Sequence, residues 1–104
     1  MIYEERDYRI KAGKLAEFVK LYGEYGLSIQ KELLGTFHAY FTSEIGELNH
    51  VVALWSYESL DDRAARRAKM LADPRWQEYL NRVDGLIDTQ TTRILTPVSY
   101  SPMQ

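Results

Sequence analysis

Two short β-rich runs, TFHAYFT from Thr36 and HVVALWSY from His50, flank a glycine-containing turn at residues 45–49 and carry large apolar side chains at odd and even positions alike. Such a pair reads as a β-hairpin. Successive strand side chains point to opposite faces, so a sheet built on this hairpin needs cover on both sides. One parity holds Phe37, Ala39 and Phe41, with Val51, Ala53, Trp55 and Tyr57, or Val52 and Leu54, opposite; the other parity still contains Tyr40. Which set faces which depends on the register of the turn, since a slip of one residue inverts every side chain. Burying a large apolar side chain contributes about 1.5–3 kcal/mol. Four of them rival the roughly 5–15 kcal/mol net stability of a domain.

The segments around the hairpin supply cover for only one side. Residues 2–10 alternate and are rich in β-formers, predicting a strand before the turn at Lys11-Ala12-Gly13. Leu15, Phe18, Val19, Tyr22 and Tyr25 then form an apolar stripe on one helix face. Gly26 marks a helix end or kink, and residues 27–34 allow a second short helix. After the hairpin, Ser59 and Asp62 open a helix in a capping arrangement over Leu60, Ala64, Ala68 and Leu71. Its acids Asp61 and Asp62 precede Arg66, Arg67 and Lys69, the order that the helix dipole favours. Asp73 as N-cap and Pro74 at the first helical position start another helix, striped by Trp76, Tyr79, Leu80, Val83 and Ile87. A last strand is expected at residues 90–96, stopped by Pro97, with a loop to Gln104.

The order is β-α-β-β-α-β, and right-handed crossovers put both helical layers on one side of a four-stranded antiparallel sheet. The fold class is α+β, ferredoxin-like, with residues 1–104 as one domain. The sheet face left bare is too apolar for water, and a second copy about a two-fold axis is the expected cover. A homodimer follows as an expectation.

The set Ile2-Tyr3-Glu4, Arg6, Tyr8, Lys11 to Leu15, Gly26-Leu27, Ile29-Gln30, Tyr40-Phe41-Thr42, Glu44-Ile45-Gly46, Leu48-Asn49, Val51-Val52, Leu54-Trp55, Ser59-Leu60, Arg63, Arg67, Asp73-Pro74, Trp76 and Arg93-Ile94-Leu95 runs through nearly the whole chain. In that order it resembles the NIPSNAP family of the dimeric α/β-barrel superfamily. Two departures are Glu5, at a position usually apolar in the family, and Glu47, where proline is common. The resemblance implies a ferredoxin-like fold that pairs sheet to sheet as a dimeric α/β barrel. It implies no set of catalytic residues.

Composition removes several chemistries. The 104 residues include no cysteine, so disulfides, thiolate metal sites and cysteine nucleophiles are out of reach. A net charge of −2 gives no broad field toward nucleic acid or anionic lipid. No apolar run approaches the roughly 20 residues of a membrane span, and the charged, alternating first ten residues differ from a secretory leader. The expectation is a cytoplasmic protein with no nucleic-acid or membrane partner.

Candidate chemistry is sparse. His38 and His50 stand about 17 Å apart along the hairpin if Ile45 pairs with Leu48, which sets His50 opposite Ser43. That is too far to share a metal, no paired-ligand spacing occurs, and neither metal nor cofactor is expected. Gly26-Leu27-Ser28-Ile29-Gln30 lacks the last glycine of a nucleophile elbow, and Gly13-Lys14 lacks the rest of a phosphate loop. Arg63, Arg66 and Arg67 form the one basic cluster; a solvated face with Asp61 and Asp62 is preferred to an anion clamp. Trp55, Tyr57, Tyr40 and Tyr8, with Glu4 and Arg6, suit a cavity between sheet and helices, although core or dimer packing explains them too. The candidate lining for a small organic ligand is thus Glu4, Arg6, Tyr8, His38, Tyr40, His50, Trp55, Tyr57, Arg63 and Arg67. A binding protein is the leading reading. The alternative is a cofactor-independent monooxygenase of the antibiotic-biosynthesis kind, suggested by Trp55-Ser56, with His38, His50 or Glu4 as general base. Its haem-dependent form lacks a histidine between Leu60 and Ala72.

Overall fold

Side-chain alternation along β1 (Ile2–Ile10) decides the architecture, because Ile2, Glu4, Arg6, Tyr8 and Ile10 share one face and Tyr3, Glu5, Asp7 and Arg9 the other. The computed structural model describes residues 1–104. It pairs β1 with β3 (His50–Tyr57) and β4 (Ile87–Leu95), and β3 with β2 (Thr36–Thr42), all antiparallel, in the order β2-β3-β1-β4. This is the ferredoxin-like α+β sheet that the element order requires.

The helices lie on the face shared by Ile10, Val51, Ala53, Trp55 and Tyr57, which join Phe18, Tyr22, Ile29, Leu34, Met70, Trp76, Tyr79, Val83 and Leu86 in the core. Register puts Glu4 opposite Trp55 and Arg6 opposite Ala53, so both charged residues point into this layer. Ser43 N–H donates to the His50 carbonyl, so the hairpin closes in the expected register. In β2 a bulge at His38 breaks the simple parity: Phe37 opposes Trp55, but Ala39 opposes Leu54. Phe37 therefore faces the helices, whereas Ala39 and Phe41 share the bare face with Val52 and Leu54.

The first helical segment does not end at Gly26. α1 (Leu15–Leu21) runs through a π-helical turn (Tyr22–Gly26) into α2 (Leu27–Leu33). Gly26 belongs there because a β-carbon would meet the rings of Tyr22 and Tyr79 within 3 Å. Along the stripe Phe18 and Tyr22 are buried, while Val19 and Tyr25 are exposed.

Both later helices start as expected. Ser59 Oγ accepts from Asp62 N–H at 3.0 Å to open α3 (Leu60–Ala72), and Asp73 Oδ1 accepts from Arg75 N–H at 2.9 Å to open α4 (Pro74–Arg82). Ile87 is the first residue of β4 rather than the last of α4's stripe, since α4 unwinds at Val83. The stripe assigned to α3 is on the wrong side. Leu60 and Leu71 are exposed, as are Ala64 and Ala68, and the inward face carries Arg63, Arg67 and Met70.

The bare sheet face is mixed. Tyr3, Val52, Leu54, Phe41 and Leu95 make an apolar half, and the tail beyond β4 folds toward it, Tyr3 Oη donating to the Gln104 carbonyl. Beside it lies a polar half with Glu5–Arg93 and Asp7–His50 pairs. No helix is long and apolar enough to cross a membrane.

Candidate functional site

Between the sheet and the helices the core leaves a cavity of about 180 Å³. β1 contributes Arg6 and Tyr8, β2 Tyr40, β3 Ala53 and Trp55. The π-turn and α2 add Tyr22 and Gln30, α3 adds Arg67 and Met70, and α4 adds Trp76 and Tyr79. Leu71, Leu80, Val83, Ile87 and Gln90 complete the wall, and all but Val83 are partly or fully exposed, which places the mouth between α3, α4 and β4. Every β4 residue after Ile87 is exposed.

The walls are held by their own contacts. Tyr22 stacks on Tyr40 with ring centroids 4.6 Å apart, and Trp76 lies 4.7 Å from Tyr79. Tyr22 Oη donates to Gln30 Oε1 at 2.5 Å, and Gln30 Nε2 donates to Met70 Sδ at 3.8 Å, tying the π-turn, α2 and α3 together. Burial pushes the Tyr22, Tyr40 and Tyr79 hydroxyls well above the usual phenol range, so all three stay neutral where a free phenol would ionise. The Tyr40 hydroxyl is itself buried and has no hydrogen-bond partner in the chain.

Beside the cavity lies a charged knot. Glu4 is fully buried, Arg63 Nε donates to its Oε2 at 2.5 Å, and Arg6 Nη1 stands 3.5 Å from its Oε1. Arg6 Nε also donates to Tyr8 Oη at 2.7 Å. Burial works against the Arg6 charge, but Tyr8 and Glu4 outweigh it and hold the guanidinium above its ordinary range. The Tyr57 hydroxyl, buried near Glu4 with no partner, is pushed up to about 12 by burial and then by the Glu4 charge. For Arg67, burial and the neighbouring Arg6 guanidinium act the other way and hold it below the arginine range.

Of the ten candidates from sequence, Arg6, Tyr8, Tyr40, Trp55 and Arg67 line the cavity. Glu4, Tyr57 and Arg63 sit behind that wall in the charged knot. The two histidines are elsewhere. His38 shares a 2.7 Å hydrogen bond with Ser56 Oγ and packs on Tyr3, and His50 Nδ1 donates to Asp7 Oδ1 at 2.6 Å; both lie on the side away from the helices. The bulge accounts for His38, and pairing with Arg9 accounts for His50. Neither histidine reaches the cavity, and of the three bases named for the monooxygenase alternative only Glu4 lies on the cavity side, held by Arg63. The arginine cluster also divides. Arg66 alone makes the expected surface pair, with Asp62 at 2.8 Å, whereas Arg63 and Arg67 turn inward. Sequence reasoning missed Tyr22, Gln30, Met70, Trp76, Tyr79 and Gln90 as lining. The aromatic stripes were visible, but the π-turn that aims Tyr22 and Gln30 together was not.

These features sit on a chain whose residues 3–102 match the NIPSNAP family model. The chain belongs to the NIPSNAP family. It is 33% identical over 103 residues to Protein NipSnap of Drosophila melanogaster, covering 99% of this chain and 37% of that protein. It therefore spans well under half the length of the curated NipSnap relatives it matches. The crystal structure of a NIPSNAP family protein from Agrobacterium tumefaciens is 47% identical, with a TM-score of 0.96 over 99% of this chain and 98% of that one. The putative antibiotic biosynthesis monooxygenase of Nitrosomonas europaea superposes with a TM-score of 0.70 over 94% and 99% of the two chains, at 13% identity. That likeness extends the fold beyond NIPSNAP, not the chemistry.

Proposed function

We propose that this NIPSNAP domain is a homodimeric small-molecule-binding protein, with the ligand held in the cavity between sheet and helices. The observation that carries the reading is the lining itself: aromatic walls together with two arginines, Arg6 and Arg67. A cavity meant only for packing would close around apolar groups, since withdrawing a guanidinium from water is costly unless it is paired. Small-molecule sites have this composition: mostly apolar, with a few placed polar groups.

The dimer rests on the bare sheet face. Phe41 and Leu95 are exposed there beside Tyr3, Val52 and Leu54. A second copy related by a two-fold would bury this patch and pair its charged half with itself. We place the protein in the cytoplasm, where a chain without cysteine needs no oxidising compartment.

Native mass spectrometry after mild purification tests both parts together. The reading expects a dimer carrying an additional small mass that is lost on denaturation. A monomer with no bound mass at micromolar concentration would contradict it.

A further inference from the structure

The helix side of the sheet carries unbalanced charge. Arg6, Arg63 and Arg67 converge there, and Glu4 is the carboxylate among them. Arg63 is engaged by Glu4 Oε2; Arg6 is engaged by Tyr8 Oη and faces Glu4 Oε1. Arg67 has neither an ion pair nor a hydrogen bond within the chain, although it is partly buried and faces two other guanidiniums. An arginine kept only for its methylene stem would be better replaced by methionine at such a place, because the head group is repelled and partly desolvated. Its five N–H donors point to an acceptor that comes from outside.

The rest of the cavity describes the other end of that molecule. Trp55, Trp76, Tyr22 and Tyr79 offer ring faces and edges. The volume of about 180 Å³ is only a little more than the roughly 150 Å³ cavity that accommodates benzene. One ring with a short polar substituent fills it. A phosphate monoester would bring about two charges and call for several donors, whereas one free guanidinium matches a carboxylate in bidentate geometry.

We infer that, given the cavity as the binding site, its ligand is a small monocarboxylic acid with a single-ring body, the carboxylate on Arg67 and the ring among the aromatic walls. Arg67 then determines specificity, and Arg63 supports it by neutralising Glu4, which would otherwise compete for the Arg67 guanidinium.

Three probes with the same ring and chain length separate head group from body: phenylacetate, phenylacetamide and phenethylamine, titrated calorimetrically into the full chain at pH 7. Phenylacetate is expected to bind tighter than phenylacetamide by on the order of 10- to 100-fold, the range of a charge-assisted hydrogen-bonded pair, with phenethylamine weakest. This ratio needs no variant. Arg67→Gln should bring the acid down to the level of the amide, and Arg66→Gln, which changes a residue tied to Asp62 and the Leu34 carbonyl, should keep the preference. Equal binding of acid and amide would overturn the carboxylate inference while leaving the cavity reading in place. Binding of none of the three would overturn both.

Discussion

Helices α3 and α4 are joined by a single residue, Asp73, and both begin at well-formed caps, yet they turn different kinds of side chain inward. α4 follows its apolar stripe: Trp76 and Tyr79 are buried, and Arg75, Glu78 and Arg82 are outside. α3 has a stripe in Leu60, Ala64, Ala68 and Leu71 and leaves it largely exposed, Leu71 edging the cavity mouth, while Arg63, Arg67 and Met70 turn inward. The difference lies in what each helix meets. α4 meets the ring of Tyr22, on which its own Tyr79 packs edge to face, and apolar area is the main term there. α3 meets Glu4, which the alternation of β1 forces into the core. Leu60 and Leu71 keep about half of their surface covered, the two alanines add only about 0.8 kcal/mol each, and Met70 supplies apolar burial in their place. An uncompensated buried carboxylate costs several kcal/mol, so pairing Glu4 favours this rotation of the helix.

This comparison can be broken at either helix. Trp76→Ala on α4 should destabilise by about 3–5 kcal/mol in urea unfolding, as expected for deleting a buried indole. Glu4→Gln should cost a similar or slightly smaller amount, about 3 kcal/mol, because Arg63 and Arg6 would lose their common anion. Loss of under about 1 kcal/mol would mean that α3 is oriented by something other than the ion pair. Met70→Ala, the one apolar anchor of α3, should cost about 2–4 kcal/mol by thermal or chemical melt. At the small end, Arg66→Ala should cost about 0.5–1.5 kcal/mol, its surface pair with Asp62 contributing little beside its hydrogen bond to the Leu34 carbonyl, and Leu60→Ala should stay within about 0.5 kcal/mol because Leu60 is exposed.

The fold was legible where local signals agreed. The caps at Ser59 and Asp73, the Ser43–His50 closure and the β-α-β-β-α-β order all follow from side chains that act within a few residues. Glu4, Arg6, Tyr8, Tyr40 and Trp55 were nominated on chemistry, and the alternation of β1 sets the first three on the inner face. What stayed hidden needed long-range geometry. The bulge at His38 is one inserted residue, with no composition mark of its own, and it moves a histidine from the cavity side to the other face. The π-turn looks like a helix end because Gly26 suits both; only the approach of Tyr79 distinguishes them. The rotation of α3 was hidden for the same reason, since its periodicity was sound and its decisive partner lay 59 residues away.

The most direct test sets Arg63→Met beside Arg67→Met in matched urea denaturations. Two arginines one helical turn apart, both turned inward, should then separate by role. Arg63→Met should lose about 3 kcal/mol by stranding Glu4, whereas Arg67→Met should lose nothing or gain up to about 1 kcal/mol by relieving an unpaired charge. Equal losses at the two positions would show that Arg67 is a structural counter-ion like its neighbour, and the guanidinium held open for a ligand would not exist.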